Sequence, residues 1–528
     1  MQVRAIGQSM LPGLTLVVGP PGTGKTDVAV QIVSNLYHAY PRETILLITH
    51  SNQALNQLFA KIVDLNIEPR HLLRLGHGEE ELDGDERYSR AGRIDSYLER
   101  RTELLSRVQQ LAESLKVAGD MGYTCETARF FFVAHVRMRW EQYKKNGGNF
   151  PFAAYFGDQY VEGQESQCFN ELQLLFDELA EIQPFELLRD HASRADYLLT
   201  QQARIVAMTC THAAMRFGEF QKLGVRFDTV VMEEAAQVLD IETFVPLVLA
   251  PNVKRAVLIG DHNQLPPVVK SPGLRMFANM EQSMFARMVR LGVPYVELDR
   301  QARARSSIAS LYRFRYQNLG DLLPSSAFGA GNKGFKHEFQ FVDVGEYNGQ
   351  GESEPAPHYF QNLGEAEYVV AVYQFMLQMG YTASQVAILT TYNGQRALLR
   401  DVLARRCPDS LPRVSTVDQF QGQQSDIVLL SLVRTTRVGH IRDLRRMTVA
   451  LSRARLVIGR VASAVQVVTE TRVVTATIVK VASEEYQPFC DDEFDLEDSS
   501  DESGVRVLSV SAGIASISAA AACLLSLL

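Results

Sequence analysis

Residues 16–27 read LVVGPPGTGKTD, in which a short apolar strand runs into the pattern G-x-x-x-x-G-K-T and then into a helical pattern. Glycines in such a loop let consecutive backbone N–H groups curl around phosphate oxygens at a helix N-terminus, where the helix dipole favours negative charge. Lys25 supplies positive charge to the β- and γ-phosphates, and the Thr26 hydroxyl is a ligand for Mg²⁺. The pattern therefore predicts a nucleotide site made by Gly19, Pro20, Pro21, Gly22, Thr23, Gly24, Lys25 and Thr26.

Two adjacent carboxylates follow a second apolar strand, where residues 229–237 read TVVMEEAAQ. Ligands of open α/β sheets bind at the C-terminal ends of the strands. We expect Glu233 to hold the Mg²⁺ hydration shell and Glu234 to orient the attacking water as general base. A capping pair at the start of a helix is the alternative interpretation. The following strand ends in GDHNQLPP, from which Gln264 can reach a γ-phosphate.

Short apolar runs alternate with longer helical patterns in two separate stretches, which predicts two α/β domains. The runs are apolar on both faces, as expected of buried parallel strands. The first stretch has runs at 14–18, 44–48, 205–208, 229–232 and 255–259; the second has runs at 340–344, 386–389, 413–417, 426–432 and 456–458. The predicted domains are 1–76 with 200–271 for the first and 294–460 for the second, joined by a helical connector at 272–293.

The segment 77–199 has a different character, with charged, leucine-spaced stretches at 96–115 and 169–188. This spacing predicts a mainly helical insertion in the first domain. After residue 460 the pattern stops, and 461–528 is predicted to be an atypical, disordered, acidic tail. A membrane anchor at 507–528 is the less favoured alternative, because its serines and alanines make it only marginally hydrophobic.

The composition is that of a folded protein, with 46% hydrophobic residues among 528. Six widely spaced cysteines favour neither a zinc site nor a disulfide framework, and the start of the chain lacks a signal peptide, so we expect an intracellular protein. The net charge is −8, but ten acidic residues and one basic residue from Glu484 onward account for −9. The remaining chain is nearly neutral, so charge does not exclude a nucleic-acid partner.

In this order, these elements resemble superfamily 1 helicases of the branch that includes the nonsense-mediated-decay helicase. Five further segments support the resemblance: THSNQALN at 49–56, AMTCTHA at 207–213, LDRQARA at 298–304, TVDQFQG at 416–422 and RRMTVALSRAR at 445–455. The resemblance implies two RecA-like P-loop domains, ATP and Mg²⁺ as cofactors, and an accessory or stalk role for the insertion.

Several residue roles come from this resemblance. It implies that Arg303 and Arg453 approach the γ-phosphate and join Glu234 and Gln264 in catalysis. It also implies that Gln2 reads the adenine and that Gly422 lies at the nucleotide site. Two departures matter, because Glu233 stands where most relatives have Asp, and Ala302 stands where they have Tyr.

A single-strand site needs hydroxyl, amide and basic groups for phosphates, and flat surfaces on which bases stack. Candidates at predicted strand ends are Ser51, Asn52, Thr209, Thr211, Thr391, Tyr392 and Thr416. Tyr392 is either a stacking face or a packed tyrosine. The residues alone do not separate RNA from DNA.

The resemblance implies an ATP-dependent RNA helicase, an RNA-stimulated ATPase that translocates on single-stranded RNA during pre-mRNA splicing in the nucleus. Its implied partners are the pre-mRNA intron and spliceosomal proteins, and association with a membrane is not expected. Two alternatives remain: a nucleotide-gated RNA clamp or scaffold with little hydrolysis, which Glu233 and Ala302 would suit, and a DNA helicase of the same superfamily.

Overall fold

The computed structural model describes residues 1–76, 87–328, 332–335, 337–344, 347–435 and 438–462. The predicted tail therefore lies outside the described residues, apart from the end of one strand at 461–462, and so does the alternative membrane anchor at 507–528. In the described ranges, every helix falls short of the length and apolar content that a bilayer-spanning segment requires.

The first sheet is parallel throughout, and its described strands are β1 (Gly13–Val18), β2 (Ile45–Thr49), β3 (Leu72–Arg74), β4 (Ile205–Thr209), β5 (Thr229–Met232), β6 (Arg255–Gly260) and β7 (Tyr295–Glu297). They lie in the order β3-β4-β2-β5-β6-β1-β7. Because the strands are parallel, the loops that follow them meet at one edge of the sheet.

Two small, two-stranded sheets lie along the chain between β7 and the last four strands of the second large sheet. β8 (Arg300–Gln301) pairs with β9 (Gly320–Asp321), and β10 (Phe339–Asp343) precedes the antiparallel hairpin of β11 (Glu352–Ala356) and β12 (Tyr359–Asn362). The second large sheet contains β10 and four later parallel strands: β13 (Val386–Thr390), β14 (Arg413–Thr416), β15 (Ser425–Ser431) and β16 (Ala454–Ala462). Its order is β10-β16-β15-β13-β14.

The helices are distributed among the parts of the chain as follows. The first domain has α1 (Gln2–Ser9), α2 (Lys25–Ala39) and α3 (Asn52–Val63); the insertion has α4 (Arg90–Ser114), α5 (Cys125–Phe131), α6 (Met138–Asn146), α7 (Ala153–Phe156), α8 (Glu165–Leu187) and α9 (His191–Tyr197). There follow α10 (Cys210–Met215), α11 (Phe217–Leu223), α12 (Asp240–Leu249), α13 (Pro272–Phe277), α14 (Met284–Arg290), α15 (Ser306–Arg313), α16 (Leu363–Gln378), α17 (Asn393–Arg406) and α18 (Leu444–Leu451).

Both large sheets are buried on both faces. In β2, Ile45 and Leu47 pack with α2 and α3, whereas Leu46 and Ile48 face a core shared with the insertion. Alternate residues of β13 likewise enter two different cores. This two-sided burial explains the apolar runs in the sequence and confirms the predicted α/β class with two parallel-sheet domains and a helical insertion.

Six strands were not predicted from the sequence: the four strands of the two small sheets, and two edge strands of the first large sheet. β3 and β7 have three residues each, too few to show a period in the sequence. β7 lies after residue 294, the predicted start of the second domain, yet it pairs with β1. The first sheet thus extends farther along the chain than the sequence pattern indicated, while the domain limits themselves stay predictions.

Candidate active site

The phosphate loop, residues 19–26, joins the end of β1 to the start of α2. The Gly19 N–H donates to the carbonyl of Gly260 at 2.9 Å, and the Thr23 hydroxyl donates to the carbonyl of Pro20 at 2.8 Å. Gly22 and Gly24 have φ values of +76° and +79°. Side chains with a Cβ rarely adopt this backbone region. The loop therefore has the curled, glycine-dependent form that the sequence predicted.

Lys25 and Gln2 both contact this loop. The Lys25 Nζ donates to the carbonyl of Gly19 at 2.9 Å, so its ammonium lies within the curl of the loop. The Gln2 side-chain amide, on α1, donates to the carbonyl of Thr23 at 2.8 Å. Both residues are beside the predicted nucleotide, and their roles as phosphate and adenine contacts stay predictions.

Thr26 and Glu233 meet although they are distant in the chain, because the Thr26 hydroxyl donates to Glu233 Oε1. Glu233 is 3% exposed, and burial raises its pKa to about 7, with the neighbouring charge of Glu234 acting in the same direction. A hydroxyl and a carboxylate are oxygen ligands of the kind Mg²⁺ uses, and a divalent cation would favour the ionised carboxylate. The pair therefore fits the implied metal.

Within the described residues there is no cluster of three or more His, Cys, Asp or Glu side chains that could hold a metal ion.

Glu234 adopts a left-handed backbone conformation, with φ at +55°. Non-glycine residues seldom adopt this region, and such strained positions cluster at functional sites. Its Oε2 accepts a hydrogen bond from the Gln237 side chain at 2.7 Å. Nearby, a Cβ on Gly260 would lie 2.8 Å from the backbone nitrogen of Ala236, so β6 approaches this segment closely.

Gln264 has both ends of its side-chain amide bonded. Its Nε2 donates to Asp261 Oδ2 at 2.6 Å, and its Oε1 accepts from Arg453 Nη2 at 3.3 Å. Arg453 also donates to the carbonyls of Val449 at 3.0 Å and Gln423 at 3.2 Å. The predicted catalytic residues Gln264 and Arg453, which lie in different domains, are therefore in direct contact.

Arg303 lies between the phosphate loop and the second domain. The Ala302 N–H donates to the carbonyl of Gly22 at 2.9 Å, and Arg303 Nη1 donates to the carbonyl of Ser452 at 3.3 Å. The Nε of Arg303 is buried and has no hydrogen-bond partner among the described residues.

Arg303 and Arg453 are buried positive charges that lie close to each other. Burial lowers the pKa of both, and for Arg453 burial together with the charge of Arg303 lowers the pKa to about 9. Within the described part of the chain, neither guanidinium forms an ion pair with a carboxylate. An anionic phosphate would supply the missing counter-charge.

Gly422 is exposed, with φ at +81° and open space where a Cβ would lie. Over the described ranges, no backbone hydrogen bond joins it to the phosphate loop. Its neighbour Gln423 is buried, and neither polar atom of its side chain has a hydrogen-bond partner among the described residues. Its backbone carbonyl accepts from Arg453 Nη1 at 3.2 Å, so Gln423 lies beside the candidate site, although no local sequence pattern predicted this.

The predicted RNA-contacting residues of the first domain follow β2 and β4, which are adjacent strands. Ser51 caps α3 by accepting from the Ala54 N–H at 3.2 Å, and Thr209 caps α10 by accepting from the His212 N–H at 3.2 Å. Ser51, Asn52 and Thr211 are exposed, whereas Thr209 is buried. The structure therefore brings these four residues together at the C-terminal ends of β2 and β4. In the sheet, β5 and β6 separate these two strands from β1.

Arg74 belongs to the same edge and was missed, because nothing in the pattern of a three-residue strand marks it. Its guanidinium is fully buried and donates to Asn52 Oδ1 at 3.0 Å and to Asn56 Oδ1 at 3.2 Å. Burial, followed by the charges of Arg216, Arg90 and Arg74, lowers the pKa of His212 to about 4.

The corresponding residues of the second domain are covered. Thr391, Tyr392 and Thr416 are 6%, 4% and 7% exposed, respectively. The Tyr392 ring stacks on His440 at 4.5 Å between centroids and meets Phe360 edge-on at 5.3 Å. Of the two interpretations of Tyr392, the packed tyrosine describes this geometry, because neighbouring rings occupy the space that a base would need.

Comparisons with known proteins agree with this architecture. Two family profiles, each described as an AAA domain, match residues 1–272 and 280–462. "RNA helicase aquarius" of Mus musculus is 51% identical over 500 residues, covering 86% of this chain and 34% of that protein. "Pre-mRNA-splicing factor cwf11" of Schizosaccharomyces pombe is 30% identical over 435 residues, covering 77% and 33%.

A third relative, "Regulator of nonsense transcripts 1 homolog" of Arabidopsis thaliana, is 28% identical over 486 residues, covering 86% of this chain and 32% of that protein. The chain spans about a third of the length of the curated relatives it matches. The predicted resemblance to this branch of helicases is confirmed. Since the first profile alone spans more than half of the residues, the chain belongs to the AAA-domain family of superfamily 1 helicases and resembles the helicase core of aquarius.

Proposed function

We propose that this chain is an ATP-dependent RNA helicase motor, an RNA-stimulated ATPase that translocates on single-stranded RNA. The observation that carries the proposal is the contact of Arg453 with Gln264 across the two domains, beside Arg303 and the phosphate loop. Residues from both domains thus converge on one place, as a nucleotide that drives domain closure requires.

The phosphate loop and Lys25 would bind the β- and γ-phosphates of ATP. Thr26 and Glu233 would hold Mg²⁺, which supplies charge neutralisation at the phosphates when bound. Glu234 would take a proton from the attacking water, and its strained backbone holds the carboxylate beside Gln237. Arg303 and Arg453 would stabilise the charge that spreads over the phosphoryl oxygens in the transition state.

Loss of the γ-phosphate would remove the anion that the two arginines share. Both guanidiniums belong to the second domain, so the attraction that draws them toward the phosphate loop of the first domain would be lost, and the domains would separate more easily. A strand held by Ser51, Asn52, Thr209 and Thr211 of the first domain would shift with each cycle, and Thr391, Tyr392 and Thr416 of the second domain would join them once domain movement uncovers that edge.

The biological setting comes from the relatives. The names "RNA helicase" and "Pre-mRNA-splicing factor" support single-stranded RNA as substrate, and pre-mRNA introns and spliceosomal proteins as partners, with function in the nucleus. Because the chain matches only a third of these proteins, their substrates and partners are part of the proposal.

ATP hydrolysis with and without single-stranded RNA tests the motor. We expect RNA to stimulate turnover in the wild type, and Lys25→Ala and Glu234→Gln to abolish the stimulated rate. Lys145→Ala, an exposed lysine of α6 in the insertion, is the control and should match the wild type. A wild type no faster than Lys25→Ala would contradict the motor.

A nucleotide-gated clamp is the second candidate, because Glu233 stands where most relatives have Asp and Ala302 stands where they have Tyr, two changes beside the nucleotide that suit slow hydrolysis. A clamp would bind RNA more tightly with nucleotide but would not turn over faster with RNA. Competition between matched single-stranded RNA and DNA separates the remaining alternative, and strong preference for DNA would favour a DNA helicase.

A further inference from the structure

Asp261 lies at the end of β6 and is 1% exposed, yet it has no predicted role. Its Oδ2 accepts two hydrogen bonds, from Gln264 Nε2 at 2.6 Å and from the Tyr316 hydroxyl at 2.7 Å, and its Oδ1 accepts from the Asn263 N–H at 3.0 Å. A buried carboxylate needs such donors to remain in place. Asp261 thus fixes the donor end of the Gln264 amide.

Tyr316 belongs to the second domain. It follows α15 and packs in one core with Leu389 and Val428 of the second sheet. Burial, followed by the charge of Asp261, raises the pKa of Tyr316 well above its usual value, so the hydroxyl stays protonated and donates at neutral pH. The bond from Tyr316 to Asp261 therefore connects the two domains.

The surrounding contacts attach the whole loop to the second domain. Arg315 Nη2 donates to Asn263 Oδ1 at 3.0 Å, and Asn263 Nδ2 donates back to the carbonyl of Arg315 at 3.1 Å. The loop residue that follows Gln264, Leu265, is buried in the core that contains Tyr316. The position of the loop is thus set by the second domain as much as by the strand from which it emerges.

We propose that Asp261 and Tyr316 form a positioning pair for Gln264, through which the second domain sets the orientation of the Gln264 amide toward the γ-phosphate. With Nε2 held by Asp261, the amide oxygen is presented to Arg453. When the domains move, Tyr316 carries the carboxylate and the amide with it. This inference rests on the proposed ATPase, because it assigns a role within that site.

Tyr316→Phe removes the hydroxyl and keeps the ring. We expect kcat for RNA-stimulated ATP hydrolysis to fall about tenfold, as for one lost hydrogen bond to a charged group, with KM for ATP unchanged within about twofold. Asp261→Asn tests the same pair from the first domain and should reduce kcat in the same way.

Tyr373→Phe is the matched control. Tyr373 is a fully buried tyrosine of α16 in the core on the other face of the second sheet, and its hydroxyl donates to the carbonyl of Ser410 at 3.1 Å. Its substitution should leave kcat and KM as in the wild type.

A third variant tests whether the pair acts through Gln264. In a Gln264→Ala background, Tyr316→Phe should change kcat by less than about twofold, because residues that act as one unit are not additive. A merely structural tyrosine would cost the same in both backgrounds.

The outcomes separate the two proposals. Wild-type turnover no faster than Lys25→Ala overturns the ATPase and the positioning pair together. An active wild type with Tyr316→Phe equal to Tyr373→Phe overturns the pair alone. An equal loss in the Gln264→Ala background, or a loss that appears in KM rather than kcat, also overturns the pair.

Discussion

The strand-end residues of the two domains differ in exposure although they occupy equivalent places in their sheets. After β2 and β4, Ser51, Asn52 and Thr211 are open to solvent, whereas after β13 and β14 the corresponding Thr391, Tyr392 and Thr416 are covered. At Tyr392 the cover comes from Phe360 of β12 and from His440, and His440 also contacts the carbonyl of Thr391.

The candidate nucleotide site differs from the candidate RNA site, because residues of both domains are already in contact there. Arg453 reaches Gln264 and Arg303 lies against Gly22. The two domains are thus in contact at the candidate nucleotide site. Of the candidate RNA-binding residues, only those of the first domain include solvent-exposed side chains. The two sites therefore need not form together, although the same two sheets support both through different strands.

The largest expected effect is on the rate of ATP hydrolysis when Arg453, which contacts Gln264 of the other domain, is removed. Arg453→Ala should lower kcat about 10³-fold, as loss of an arginine that stabilises a transferring phosphoryl group does. Single-turnover hydrolysis at saturating RNA measures it. Arg455→Ala, two residues away and paired with Asp426 on the surface, should stay near the wild-type rate. Equal losses for both variants would show that Arg453 has no special contact with the nucleotide.

The second prediction concerns the ionisation of Glu233 in the absence of nucleotide and Mg²⁺. The folded-state pKa of Glu233 is about 7, above its ordinary value of 4.5. Between these two values the unfolded chain is ionised while the folded chain keeps the proton. Stability should therefore fall as pH rises from about 4.5 to about 7 and level off above it.

Glu233→Gln should remove this component, which is on the order of 1–3 kcal/mol. Chemical unfolding at a series of pH values, in the absence of nucleotide and Mg²⁺, measures the difference between the two proteins. Identical pH dependence in both would mean that Glu233 is ionised throughout.

The smallest effect tests the exposure difference directly. Thr211→Val and Thr416→Val make the same isosteric change at an exposed residue of α10, just after β4, and at the buried last residue of β14. Without nucleotide, we expect Thr211→Val to weaken RNA binding about fivefold and Thr416→Val less than about twofold, in line with one lost hydrogen bond. Fluorescence anisotropy with a labelled single strand measures both. Equal effects would show that the covered edge opens readily in solution.

Much of the fold could be predicted from the sequence because buried parallel strands are recorded locally, as apolar runs of four to seven residues bounded by polar loops. β3 and β7 were missed because three residues carry no period. The phosphate loop was predictable for the same local reason: Gly22, Gly24, Lys25 and Thr26 act through their own backbone and adjacent helix.

The rest depended on contacts between distant segments. Asp261 and Gln423 carry no pattern that marks them as site residues, and Tyr392 could not be assigned to a free or a packed state from its neighbours in the chain. Arg74 was invisible for the same reason, because its partners Asn52 and Asn56 lie on a helix that follows another strand.

By itself, the sequence determined the α/β class, the order of the motifs and the nature of the phosphate loop, because these follow from the local backbone and from periodic burial. Only the tertiary structure decided that Tyr316 holds Asp261, that Arg453 meets Gln264 across 189 positions, and that His440 covers Tyr392. The physical reason is that such contacts are set by how the sheets and helices pack, and side chains far apart in the chain carry no record of that packing in their own neighbourhoods.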